Sequence, residues 1–254
     1  MPDHRPVDAM RAAQAAMRPA PVRRFYKIAA LSDSNGLHAL TLDGRAARTP
    51  SRNPLAARSR AIMETVAEEW SRQGDTLVAA DMPVTRLLNS ALDGVAKAME
   101  ATRAEIVRYA GSDLLCYRAE EPEALAERQR AAYDPTLDWA AGTLGVRFAL
   151  AAGVVHVQQP PAVAAAFGAA VEAFDDPIAL AALSVVTTLT GSAVLALAVA
   201  RGRLSAEEAW RIAHVDEDFQ NERWGVDAEA MARRAAHGRE MAAAASVLAA
   251  IATR

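Results

Sequence analysis

The stretch VDEDFQNERWG, at residues 215–225, concentrates four acidic side chains: Asp216, Glu217, Asp218 and Glu222. Carboxylates grouped in this way can transfer protons, bind a cation, contact a partner or keep a helix solvated. His214 lies one helical turn before Asp218 and could share a ligand with it, but two groups do not make a metal site. The stretch by itself therefore defines neither an acid–base pair nor a metal centre. Its role depends on which faces its residues occupy.

A single helix from Ser205 to Gly225 is predicted to position these residues. Ser205 and Glu208 form a capping-box pattern at its start, and Gly225 follows as a stop signal. At 100° per residue, one face collects side chains that should be buried: Ile212, Val215 and Phe219. Three acids fall on flanks where a solvated face is expected: Asp216, Asp218 and Glu222. An arginine of the same helix, Arg211 or Arg223, could pair with the first of them.

Glu217 occupies a different position, on a stripe with Trp210 and Trp224 that would otherwise be apolar. Gln220 lies beside this stripe. A carboxylate there must be paired, hydrogen-bonded or exposed on a surface meant for a partner. Two interpretations stay open. Glu217 could be a core glutamate paired with an arginine from another helix, or part of a Trp/Glu contact patch, because Trp is enriched at binding hot spots.

Other catalytic signatures are missing from the sequence. The 13 glycines form neither G-x-G-x-x-G nor a phosphate loop, and there is no G-x-S-x-G or H-E-x-x-H motif. The single cysteine, Cys116, excludes an internal disulfide and is expected to be a buried structural thiol. An acidic-site, metal-dependent enzyme in a helical bundle is the alternative. It would need a second carboxylate near Glu217, and Asp113 or Asp138 are the candidates.

The composition is that of a core-forming soluble protein without a marked charge. The chain has 254 residues, of which 52% are hydrophobic and 23% charged, and its net charge is −3. We therefore expect neither nucleic acid nor an anionic membrane as a partner. Residues 178–200 contain no charged side chain, and we interpret them as one helix buried in a bundle. A membrane-spanning interaction protein is the alternative interpretation of this segment.

The order of elements predicts an α+β fold: a small N-terminal antiparallel-strand domain with a helix, followed by a larger, mainly α-helical domain. Residues 24–50 indicate a three-stranded meander, because Asn35-Gly36 and Asp43-Gly44 are hairpin turn signals. We place a flexible tail at residues 1–22, the small domain at 23–83 and the helical domain at 84–254. Helices are predicted at 57–73, 85–96, 98–109, 122–132, 135–144, 161–174, 178–200 and 205–224, with a last one capped by Asp227.

Several sequence blocks, taken in order, resemble the ATP12-type assembly chaperones of the F-type ATP synthase. They include LDGRAARTP, AEEWSRQG, MPVTRLLNSALDGV, SDLLCYRAEEPEALAERQ and LSAEEAWRIAHVDEDFQNERWG. The resemblance implies a non-enzymatic chaperone that binds the unassembled α subunit of the synthase's catalytic head. It would shield the surface that later meets the β subunit and so prevent aggregation. No cofactor is implied, and the implied architecture is the same two-part fold.

The resemblance also implies which residues contribute to the site. The family pattern Asp-Glu-x-x-Gln-x-x-x-Trp-Gly is matched by Asp216, Glu217, Gln220, Trp224 and Gly225. This pattern, together with the stripe that places Trp210 beside Glu217, leads us to expect that the partner-binding residues are Glu217, Trp210, Trp224, Gln220 and Asp216. Other matching positions are Trp70, Thr85, Arg86, Asp113 and Tyr117. Of these, the two aromatic residues are expected to lie in the core.

We expect a monomer that does not insert into a membrane. Residues 1–22 contain acids and lack the serine content of a transit sequence, which favours a bacterial cytoplasm. The mitochondrial matrix is the alternative location.

Overall fold

A computed structural model describes residues 22–153 and 155–252. A small antiparallel-strand region comes first and helices make up most of the remainder, which confirms the predicted fold class. The predicted tail lies outside the described residues except for Val22. Buried apolar side chains from both regions form one continuous cluster. The division into a tail at 1–22, a small domain at 23–83 and a helical domain at 84–254 stays a prediction.

The N-terminal sheet is built around two hairpins. β1 (Ala29–Ser34) pairs antiparallel with β2 (Leu37–Leu42), and β2 pairs with β3 (Arg45–Ala46). A fourth strand that was not predicted, β4 (Ala56–Ala57), pairs with the first half of β2. Both turns have two central residues with positive φ: Asn35 at 50°, Gly36 at 74°, Asp43 at 49° and Gly44 at 78°. This geometry confirms the two predicted hairpin turns.

Three helices follow and connect the sheet to the bundle: α1 (Arg60–Ser71), α2 (Pro83–Asp93) and α3 (Met99–Ala110). α1 packs on β1 and β2, and α2 packs on α1. Two-residue strands β5 (Tyr117–Arg118) and β6 (Ala151–Ala152) then pair in parallel on either side of the next helix. The predicted helices at 57–73, 85–96, 98–109 and 161–174 are confirmed with shifted ends.

A continuous helix, α4 (Glu123–Leu144), replaces the two helices predicted at 122–132 and 135–144. Pro135 lies inside it, where it removes one backbone donor. Its neighbours Tyr133, Thr136 and Leu137 are all buried. Packing of these side chains against the core outweighs the lost hydrogen bond, so the prediction of a break at this proline is wrong.

The uncharged segment 178–200 forms two helices, so the prediction of one is wrong. α5 (Pro161–Glu172) is followed by α6 (Pro177–Thr190) and α7 (Ala193–Ala200). Gly191 has φ 66°, which ends α6, and the hydroxyl of Ser192 accepts from Leu195 N at 3.0 Å to start α7. Nearly every side chain of α7 is buried, as predicted for a bundle core. Among the described helices, none combines the length and apolar character that crossing a bilayer requires.

The predicted helix 205–224 is also divided. α8 (Ala206–Ala213) and α9 (Val215–Trp224) meet at His214, where φ is −111° and ψ is 20°. Ser205 and Glu208 form the predicted capping box at the start of α8. The last helix, α10 (Ala228–Ala252), is capped by Asp227, whose carboxylate accepts from Glu229 N at 2.8 Å. α10 packs on α2, α6, α7 and α8, which holds the bundle together.

Candidate partner-binding surface

Helix α9 has one buried side and one exposed side. Val215 and Phe219, four residues apart, are buried against the bundle. Glu217, Gln220 and Trp224 follow the i, i+3, i+7 spacing of a single helix face, and all three are exposed. The Glu217 side chain is 62% exposed and Trp224 is 76% exposed. We call this exposed side, defined by Glu217, Gln220 and Trp224, the α9 surface.

The carboxylate of Glu217 is available to a partner. Its nearest basic group is His214, whose Nε2 lies 3.9 Å from Glu217 Oε2. The Nδ1–H of this histidine donates to the carbonyl of Trp210 at 2.7 Å. Neither a core arginine nor an indole N–H contacts Glu217 within the described chain, so the interpretation as a paired core glutamate is wrong.

Exposed apolar side chains continue the α9 surface along the chain into the start of α10. Val226 and Met231 are exposed, as is Trp224. Gly225 makes the turn between the helices possible, because its φ of 88° is one that L side chains rarely adopt. Large apolar residues held out of the core in one short segment are typical of a surface that another protein covers.

Trp210 belongs to the preceding helix rather than to α9. It lies on α8, half-buried, with its ring centroid 4.0 Å from that of His214. On its other side it packs on Gly238 of α10, where an added Cβ would lie 3.5 Å from the indole nitrogen. Because α8 and α9 are separate helices, a wheel drawn for one straight helix does not apply across His214, and the assignment of Trp210 to the partner-binding residues stays a prediction.

Asp216 is turned towards α4 rather than towards solvent. Its Oδ1 accepts from Gln129 Nε2 at 2.7 Å and from the Tyr133 hydroxyl at 3.5 Å. The same glutamine accepts from the backbone N–H of Ala119 at 2.7 Å, so it links α4 to the segment after β5. Both the solvated-flank prediction for Asp216 and its proposed pairing with Arg211 or Arg223 are wrong.

A polar cleft of about 630 Å³ lies beside Asp216, between α4, α9 and the end of β5. Tyr133 and Arg118 line it, and the Arg118 guanidinium sits 4.9 Å from the centre of the Tyr133 ring. Arg118 also pairs with Asp134 at 2.5 Å. Burial, and then the charge of Asp216, raise the pKa of the Tyr133 hydroxyl, which therefore stays protonated as a hydrogen-bond donor.

The two remaining acids of α9 anchor the helix. Glu222 accepts from both terminal nitrogens of Arg128 on α4, at 2.8 and 2.9 Å, and this pairing lowers its pKa. Asp218 accepts from Arg234 on α10. The solvated-flank prediction is confirmed for Glu222, which stays exposed although it pairs with Arg128, and is wrong for Asp218, which is half-buried against Arg234. α9 is thereby fixed to α4 and α10 while its outer face stays free.

The carboxylates proposed to converge on Glu217 do not do so. Asp113 is fully buried and accepts from Ser192 Oγ at 2.7 Å, Leu115 N at 3.0 Å and Val194 N at 3.0 Å. None of these partners belongs to α9. Asp138 is exposed on α4. Within the described ranges, no three His, Cys, Asp or Glu residues are grouped as a metal site would require.

Burial also raises the pKa values of the single thiol, Cys116, and of the buried carboxyl group of Asp113. Cys116 is buried, as predicted, and burial raises the pKa of its thiol to about 12, which keeps it unreactive. Burial raises the pKa of Asp113 to about 6 in spite of the hydrogen bonds that favour its ionised form. Both residues belong to the short turn Leu114–Cys116 and its cap rather than to a reactive site.

A buried carboxylate that the sequence analysis missed is Glu69 of α1. It accepts from Val84 N at 2.7 Å, Thr85 N at 2.8 Å and Thr85 Oγ1 at 2.6 Å, and so caps α2. The sequence did contain a signal for this contact. In the block MPVTR, Pro83 opens α2 but no neighbouring side chain caps the first backbone N–H groups, so the acceptor has to come from elsewhere in the chain. Trp70 and Tyr117, predicted to be core residues, are half-buried and pack against the apolar cluster.

Comparison with known proteins agrees with this architecture. The family model described as ATP12 chaperone protein matches residues 23–141. The crystal structure of Atp12 from Paracoccus denitrificans is 39% identical, covers 90% of this chain and 98% of its own, and superposes with a TM-score of 0.84. The crystal structure of the Atu1473 protein of Agrobacterium tumefaciens is 46% identical in sequence. The match covers 99% of this chain and 92% of that one, with a TM-score of 0.88. Mitochondrial atp12 of Schizosaccharomyces pombe is 24% identical over 215 residues, which are 80% of this chain and 74% of that protein.

Exposed apolar side chains grouped at one end of a helical bundle are typical of a surface that another protein covers. The chain belongs to the ATP12 chaperone family. It is therefore a chaperone of ATP synthase assembly and not an enzyme, and the alternative of a metal-dependent enzyme is wrong.

Proposed function

We propose that this chaperone binds the unassembled α subunit of the F-type ATP synthase catalytic head through the α9 surface. Binding keeps the α subunit from aggregating until it meets the β subunit. The observation that carries the proposal is the exposure of Trp224 and Glu217 on one face of a helix whose Asp216, Asp218 and Glu222 are bonded to neighbouring helices.

The three α9-surface residues fit the contact chemistry of a protein interface. Trp224 offers a large rigid apolar area, and Trp is among the residues that contribute most at interfaces. Glu217 adds a charge that selects a basic or hydrogen-bond-donating counterpart and rejects an acidic one. Gln220 can donate and accept, so it satisfies polar groups on either side of the apolar contact.

Asp216 and Trp210 support the same site indirectly. Asp216 fixes α9 to α4 through Gln129 and Tyr133, and Trp210 fixes the α8–α9 junction through His214. In the proposal, these two residues position the α9 surface while the other three touch the partner. The chaperone acts as a monomer, and its proposed compartment is the bacterial cytoplasm; the Schizosaccharomyces pombe relative is named as mitochondrial.

A charge reversal at Glu217 tests the proposal. Glu217→Lys should weaken binding of the isolated α subunit at least tenfold, because a cation would replace the carboxylate in the contact. Trp224→Ala should weaken it by a similar factor by removing the apolar anchor. The measurement is a titration of immobilised chaperone with α subunit diluted from denaturant.

Glu105→Lys provides the matched control, since Glu105 is also an exposed helical glutamate, on α3. It should leave binding unchanged, and circular dichroism should show all three variants folded. Wild-type affinity in a folded Glu217→Lys chain would refute the assignment of the contact to α9.

A further inference from the structure

Strand β1 is an edge strand whose outer side has no neighbouring strand in the described ranges. It pairs with β2 over its full length, from Ala29 opposite Leu42 to Ser34 opposite Leu37. β3 and β4 both pair with the other side of β2. α1 packs on β1 and β2 together and so covers a face of the sheet.

The register shows which backbone groups point outward. The N–H of Asp43 donates to the carbonyl of Ile28 at 2.9 Å, which makes this pair a hydrogen-bonded one. In an antiparallel ladder such pairs alternate, so Ala30, Ser32 and Ser34 direct their N–H and C=O groups to β2. The remaining residues direct theirs outward: Ala29, Leu31 and Asp33. No described residue hydrogen-bonds to these outward backbone groups.

Apart from the charge of Asp33, this edge lacks the features that usually guard an edge strand. Natural edges carry lysine, proline or a bulge that prevents pairing with another chain. The sequence of β1, AALSDS, contains neither residue, and its pairing with β2 is unbroken. Its one charge, Asp33, is engaged by His38 at 2.6 Å and Arg60 at 3.1 Å. The exposed side chains of Ala30, Ser32 and Ser34 are too small to obstruct an added strand.

We propose that β1 is a second client-binding site, where an extended, uncharged and apolar-rich segment of the client adds as a strand to the sheet. Its backbone would pair with the outward groups of Ala29, Leu31 and Asp33. Phe25 and Ile28, which are 67% and 65% exposed just before β1, offer apolar contacts to its side chains. This inference rests on the proposed chaperone function and adds a mode of recognition that depends on the backbone.

A client strand fits this edge better than a second copy of the chain. A stable dimer interface buries roughly 1,200 Å² or more, and a six-residue strand of alanine, serine, leucine and aspartate offers too little side-chain area for that. A client that is also bound at the α9 surface needs only a weak second attachment, because the first raises its effective concentration.

Residue-resolved amide hydrogen exchange tests the proposal. In the free chain the N–H groups of Ala29, Leu31 and Asp33 should exchange fast, while those of Ala30 and Ser32 are protected by the ladder. On addition of the isolated ATP synthase α subunit, the three fast groups should become at least tenfold slower. The alternation identifies strand addition, since a contact with side chains alone would not produce it.

A pair of substitutions at Ala29 separates the backbone donor from the side chain. Ala29→Pro removes the outward N–H without touching a ladder bond and should weaken α-subunit binding about threefold to tenfold. Ala29→Ser keeps the donor and should bind as the wild type does. If the proline variant does not fold, the exchange pattern of the unmodified chain decides alone.

The possible outcomes are distinct. Tight α-subunit binding that depends on Glu217 but leaves exchange at β1 unchanged would overturn this inference and leave the proposed function standing. Protection of the three groups in the free chain would show an edge that is already covered and would also overturn it. Protection that rises with chaperone concentration alone would identify a second copy as the occupant, contrary to the proposal. Absence of any α-subunit binding would instead refute the proposed function.

Discussion

Replacing Asp113 with alanine is expected to lower the free energy of unfolding by about 3–5 kcal/mol. The carboxylate is fully buried and accepts from the hydroxyl of Ser192 and from the backbone N–H groups of Leu115 and Val194. Alanine would leave three donors without an acceptor at the starts of a short turn and of α7. Urea unfolding followed by circular dichroism measures the loss, and Asp138→Ala, at an exposed site on α4, should change stability by less than about 0.5 kcal/mol.

The pH dependence of stability gives an independent check on Asp113. Burial raises its pKa from 3.8 to about 6, so the folded chain holds this proton more tightly than the unfolded chain does. The contribution of this group to stability is therefore fully present below about pH 4 and is lost as the pH rises towards 6, by about 3 kcal/mol. The neutral variant Asp113→Asn should lack this pH-dependent change. If the Asp113→Asn variant lost stability between about pH 4 and 6 as the wild type does, the raised pKa of Asp113 could not be the cause of that loss.

Replacing Glu69 with alanine is expected to cost about 2–4 kcal/mol of unfolding free energy. This carboxylate on α1 holds two backbone N–H groups and one hydroxyl at the start of α2, so it joins the strand-bearing region to the helical region. Its pKa is raised by burial, which the three hydrogen bonds only partly offset. Urea unfolding again measures the effect, with amide exchange at Val84 and Thr85 as a local readout.

The neighbouring residue supplies the control for Glu69. Glu68 is exposed and pairs with Arg72 one helical turn away, an interaction that contributes at most a few tenths of a kcal/mol. Glu68→Ala should therefore unfold at nearly the wild-type urea concentration. If Glu69→Ala and Glu68→Ala lowered the free energy of unfolding by similar amounts, the hydrogen bonds from Glu69 to the start of α2 would not be a source of stability.

Local sequence signals predicted the features whose causes are local. Asn35-Gly36 and Asp43-Gly44 adopt the positive φ values that hairpin turns require. Ser205 and Glu208 form the predicted capping box at the start of α8. The buried positions Val215 and Phe219 on α9 also follow from spacing within one helix. Each of these depends on residues fewer than ten positions apart.

Features that depend on distant contacts could not be predicted. The break before α7 depends on Ser192, whose hydroxyl bonds to Asp113 almost eighty residues earlier. The continuity of α4 through Pro135 depends on burial of the side chains beside it. The break at His214 places Trp210 on a different helix from Glu217 and Trp224, which a helical wheel drawn for one straight axis could not show. Arg128 and Arg234, which pair with acids of α9, come from other helices.

Co-expression with the subunits of the ATP synthase head tests the chaperone assignment most directly. The α and β subunits would each be produced with and without this chain, and the fraction of each recovered after centrifugation would be measured. We predict that the chain moves most of the α subunit into the soluble fraction, leaves the β subunit unaffected, and loses this effect when Glu217 is replaced by lysine. An α subunit that aggregates equally with and without the chain would contradict the account.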